Sequence, residues 1–107
     1  MSEFLNEWEL YKEMKMSEDY IKMDELKHGY LYEIFARNAS FGIWNKDLLG
    51  FVISRFKFGS YFTFVEHHWD CESFATAKPF KEVEKAPFDP NDYDEIEALD
   101  YLNQKAS

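Results

Sequence analysis

The hydrophobic pattern changes period twice along the chain. Phe4, Leu5, Trp8 and Tyr11 recur at helical spacing after Ser2, a residue suited to capping. They predict a helix over residues 1–16. From Tyr20 the pattern becomes extended. Strands are predicted at Tyr20–Met23, Tyr30–Ala36, Ala39–Trp44, Gly50–Phe58 and Tyr61–Trp69, with one short edge strand within residues 74–84 interrupted by Pro79. Asn45-Lys46-Asp47 reads as one connection and Gly59-Ser60 as a two-residue type II′ loop. Asp89-Pro90-Asn91-Asp92 reads as a helix cap followed by proline at the first helical position, opening a helix over 89–104. The expected fold is α+β: a small, strongly bent antiparallel sheet, or an SH3-like barrel, over residues 20–84. One domain, residues 1–107, is expected, with the sheet flanked by the two terminal helices.

Placing Gly59-Ser60 in the loop sets Lys57 against Phe62, Arg55 against Phe64 and Phe51 against His68 on one face. The other face pairs Phe58 with Tyr61, Phe56 with Thr63 and Val52 with His67. The second face is the more apolar, so Trp44, Phe56, Phe58, Val65 and Trp69 are the expected core. Phe56→Ala is then expected to cost about 3–5 kcal/mol. The first face interleaves cations with rings, an arrangement suited to cross-strand cation–π contacts.

Charge sharpens this division. The chain carries 21 acids and 12 bases, a net charge of −9. Residues 1–30 and 71–107 hold the whole excess, while 31–70 are neutral. So acidic a protein is a poor phosphate-backbone ligand, because counterion release requires Lys and Arg. Direct nucleic-acid binding is therefore not expected. Met1–Trp8 lacks the basic and apolar regions of a signal peptide, and no apolar run approaches a bilayer span. The expected location is cytoplasmic, with no membrane partner.

Candidate chemistry is sparse. Cys71 is the single cysteine. His67 and His68 alternate across a strand, so no metal site is expected from His67, His68 and Cys71. Gly29, Gly42, Gly50 and Gly59 are scattered and none opens a phosphate-binding helix. No cofactor and no catalytic group are expected. What remains is a surface: Asp94, Glu97 and Asp100 share a helical sector with Tyr93 and Tyr101, leaving Ile96, Leu99 and Leu102 to dock on the sheet, and Glu3 and Glu7 repeat the motif at the other terminus. These seven are the candidate partner-binding residues, facing a basic groove as nucleic-acid phosphates would. Arg37, Asn38, Arg55 and Lys57, among aromatic residues, are the candidates for the alternative, a small-ligand or nucleotide-sequestering site. A virion or assembly component is a third alternative.

The stretches Gly29-Tyr30-Leu31-Tyr32, Ala36-Arg37-Asn38-Ala39, Gly42-Ile43-Trp44, Gly50–Arg55 and Glu66-His67-His68-Trp69-Asp70 resemble small phage and prophage accessory proteins. The resemblance implies a non-enzymatic counter-defence inhibitor that engages a host protein in the host cytoplasm.

Overall fold

A computed structural model describes residues 20–36, 38–68 and 77–106. Five strands, β1 (Tyr30–Ala36), β2 (Asn38–Asn45), β3 (Gly50–Lys57), β4 (Ser60–His67) and β5 (Lys78–Lys85), form one antiparallel sheet in the order β4-β3-β2-β1-β5. One α-helix, α1 (Glu95–Ala106), follows. A single 3-10 turn, Met23–Glu25, replaces the expected strand at Tyr20–Met23. The helix expected over residues 1–16, including Glu3 and Glu7, lies outside the described residues, as do Arg37, Trp69 and Cys71.

Both faces of the sheet are covered at its centre. On one, Tyr32, Ile34, Trp44, Phe51 and Ile53 cluster with Leu26 and Ala77. On the other, Leu31, Ile43 and Val52 pack beneath Leu102 of α1 and Ala86, with Phe88, Tyr93 and Tyr101 at the margin. Consecutive residues Phe51-Val52-Ile53 are therefore all buried, the continuous apolar run expected of a strand covered on both faces. Gly42 makes room for this: a Cβ there would lie 2.7 Å from the Cβ of Phe51.

The two sheet edges differ. β5 carries Lys78, Pro79, Lys81 and Lys85 and pairs with β1 through two register shifts, features that discourage edge-to-edge pairing. Its eight residues run through Pro79, whose carbonyl accepts from the Ile21 N–H at 2.8 Å, so the proline lies on an edge as its missing donor demands. At one corner the edges meet. His68 and Ala77 form a parallel bridge, with the Ala77 N–H donating to the His67 carbonyl at 3.0 Å.

Three expectations are corrected. The β3–β4 loop is Phe58-Gly59, not Gly59-Ser60: Lys57 pairs with Ser60, Arg55 with Phe62 and Val52 with Val65. Both loop residues have positive φ, 54° and 82°, which is a type I′ turn. The two-residue slip preserves the faces and changes the partners. Packing at the buried end decides it, since Gly50 opposite His67 accepts the Val65 methyl where a Cβ would stand 2.7 Å away. Second, Phe56 and Phe58 are 62% and 93% exposed. Trp44 is buried as expected and Val65 half-buried. Third, Asp89–Asp92 is a β-turn, closed by the Asp92 N–H on the Asp89 carbonyl at 3.0 Å, with the Asn91 N–H on Asp89 Oδ1 at 2.9 Å. Asp and Pro favour turns for the reasons they favour helix starts. The helix begins later, where the Asp94 carbonyl accepts from Ala98 at 2.9 Å.

Candidate functional site

α1 lies on the sheet through Ala98 and Leu102, and its first turn is anchored by Glu95, whose Oε1 accepts from the Thr63 backbone (3.2 Å) and hydroxyl (2.9 Å). At its other end Glu84 of β5 receives the Tyr101 hydroxyl at 2.8 Å and Lys105 Nζ at 2.9 Å. These hydrogen bonds, Lys105 first, hold the Glu84 carboxyl below its ordinary range. Burial, and then the bond to Glu84, raises the Tyr101 phenol above its own. Tyr93 donates to Thr63 Oγ1 and packs on Phe88, as does Tyr101.

The tyrosines therefore serve the helix–sheet contact and do not share the acidic sector. This corrects the expected sector. Ile96 corrects it from the other side: expected to dock, it is 73% exposed. The expected carboxylates follow one another at three-residue spacing at the start of and along α1. Asp94, Glu97 and Asp100 are all exposed, and none makes an ion pair or side-chain hydrogen bond among the described residues. Other acids are bound internally. Glu66 pairs with Arg55 (3.2 Å), Glu82 with Lys27 (3.3 Å), and Asp89 with His28 (3.3 Å).

Only part of the alternative ligand-binding set falls among the described residues. Arg37 and the Asn38 side chain are outside the described residues. Arg55 sits over the Phe64 ring at 5.0 Å with its guanidinium on Glu66, and Lys57 stands over Phe58 at 5.2 Å. The expected Arg55–Phe64 contact thus exists, made diagonally instead of directly opposite, whereas Lys57 meets its chain neighbour Phe58 and not the expected Phe62. Of the histidines, His68 is buried against Trp44 and Phe51, with ring centroids at 5.6 and 6.2 Å, while His67 alternates to the other face.

Two arrangements escaped sequence reasoning. Asn45, fully buried, accepts from the Asp47 and Leu48 N–H groups at 3.0 and 3.1 Å and donates to Asn91 Oδ1 at 2.8 Å. Asn91 in turn donates to Asp47. This ties the β2–β3 turn to the Asp89–Asp92 turn and so aims α1; only the tertiary fold joins residues so far apart. The second is the end of the β3–β4 hairpin. Among the described residues β2 pairs with β3 only over Ile43–Asn45 and Gly50–Val52, so the end of the hairpin beyond Ser54 and Thr63, which α1 still holds, projects past β2 as a finger. Phe56, Phe58, Tyr61 and Phe64 are exposed on it, with the Phe56 and Tyr61 rings 4.9 Å apart. A signal was present: residues 48–65 contain no acid in a chain with 21.

Among the described residues no helix is long and apolar enough to cross a membrane. Compared with protein families, with curated proteins and with solved structures, the chain matches none.

Proposed function

We propose that the chain is a non-enzymatic binding protein that blocks a basic surface of a partner protein through the exposed acidic arc of α1. One observation carries this reading: among the described residues Asp94, Glu97 and Asp100 make no ion pair or side-chain hydrogen bond, whereas Glu66, Glu82, Glu84, Asp89 and Glu95 are each bound within the fold. Unpaired carboxylates on one arc focus a negative potential outward, which steers encounter with a cationic groove. The resemblance to phage accessory proteins supports a counter-defence setting, with a host factor as the partner in the host cytoplasm. The corner bridge between His68 and Ala77 supports a barrel-like, SH3-type curl of the sheet beneath the helix.

The test replaces Asp94 and Asp100 with Asn and Glu97 with Gln. Proteins captured from a host lysate by the wild type should be lost with the triple variant, and also lost as salt shortens the Debye length from about 10 Å at 0.1 M to about 3 Å at 1 M. Thermal stability should move by no more than about 0.5 kcal/mol, as for exposed substitutions generally. Undiminished capture by the triple variant would sink the reading.

A further inference from the structure

The finger is a separate surface from the acidic arc, and its construction is costly. Phe58 is a bulky residue held at φ 54°, where an L side chain is strained by roughly 1–2 kcal/mol, and its ring is 93% exposed. Phe56 and Tyr61 lie on one face of the hairpin and Phe64 on the other, so the apolar surface surrounds the tip instead of forming one flat patch. A two-sided tip suits insertion into a hollow. Lys57 beside it is the exposed charge at the tip, since Arg55 is held on Glu66.

The other end of β3 offers such a hollow. A cavity of about 430 Å³ is lined by Met23, Leu26, Trp44 and Leu49, with Asp24 and Lys46 on its lip. An apolar cavity of roughly 150 Å³ already accommodates a benzene ring, so a phenyl group has room. Leu48 and Leu49 beside it are themselves exposed. Asp24 and the neighbouring Glu25 are exposed acids without an ion-pair partner among the described residues, available to Lys57, while Lys46 lies across the lip. The hollow and Phe58 sit at opposite ends of one strand, about 30 Å apart at roughly 3.3 Å per residue. The finger of one copy cannot reach that copy's own hollow, but the finger of a second copy can.

The geometry points to head-to-tail self-association: the Phe58 finger of one copy enters the Met23/Leu26/Trp44/Leu49 hollow of the next, with Lys57 meeting Asp24. Such a contact is heterologous and does not close on itself as a two-fold dimer does. One finger buries too little surface for a permanent interface, so the association is weak and reversible.

Sedimentation of the whole protein from about 10 μM to about 1 mM, the range in which weak contacts load, tests this. The average mass of the wild type should rise past that of a dimer. Phe58→Asn removes the finger while suiting the left-handed turn better than Phe, so the variant stays folded and should stay monomeric. Leu49→Arg puts a cation in the hollow and should also give a monomer; Met23→Arg serves if that variant fails to fold. Mixed, the fingerless and hollow-blocked variants retain one intact contact between them and should form a 1:1 complex that grows no further. A wild type that remains monomeric throughout, a Phe58→Asn variant that still assembles, or a mixture without complex overturns the proposal. Phe58-dependent sedimentation with phosphatidylcholine vesicles by a monomeric wild type overturns it too, assigning the finger to lipid.

Discussion

The two ends of the β3–β4 hairpin are both rich in phenylalanine and have opposite fates. Phe51-Val52-Ile53 is apolar and buried on both faces of the sheet; Phe56-Lys57-Phe58, at the other end of the same hairpin, is exposed on both. Alternation within the strand does not distinguish them. The difference lies in what stacks on the sheet. Over the first half, α1 covers one face while Leu26 and the chain around Met23–Glu25 cover the other, and β2 pairs alongside. Over the second half β2 has departed, and α1 reaches β3 only as far as the hydrogen bond between Ser54 and Asn103 at 2.8 Å. A strand's burial is a property of its layers before it is a property of its own residues.

Three measurements bear on that contrast, in decreasing order of effect. Phe51→Ala, at the doubly covered end, should lower unfolding free energy by about 3–5 kcal/mol in denaturant titration, because the ring leaves a cavity against Trp44, Tyr32 and His68. A loss near zero would mean the two ends are energetically alike. At the exposed end the sign should reverse or vanish. Phe58→Asn relieves the left-handed strain and should stabilise by about 1 kcal/mol, while Phe56→Ala should stay within about 0.5 kcal/mol. The smallest effect concerns the clamp that keeps α1 over the buried end. Glu84 is held below its ordinary range, so its stabilising contribution is present at neutral pH and fades as pH falls through the carboxylate range. Melting temperatures of wild type and Glu84→Gln should therefore differ slightly at pH 7 and converge in acid.

Much of the strand map was legible beforehand. β1 is found where it was expected, and β2, β3 and β4 within one or two residues, because Tyr, Phe, Ile and Val runs bounded by Gly and Asn signal strands whatever covers them. The pairing parity was legible too, since it depends only on an odd or even count across the loop. The register was not. Glycine at position 59 fits the first place of one two-residue turn and the second place of another, and the choice fell to residues six to nine positions away, where Val65 fills the space above Gly50. Accommodating that fit left Phe58 at positive φ.

The candidate surface divides the same way. That Asp94, Glu97 and Asp100 would gather on one side of a C-terminal helix follows from 3.6-residue periodicity, and each of the three is exposed. That Tyr93 and Tyr101 would leave that sector does not follow from periodicity. It depends on Phe88 and Glu84 being there to receive them, and on the Asp89–Asp92 turn delaying the helix until Glu95. Local spacing set which residues are strand, helix and acid-bearing arc, because those preferences act over a few bonds. Which aromatic residues became core and which became a finger was settled only when two layers met over one half of a strand and not the other, because burial is decided by neighbours distant in sequence.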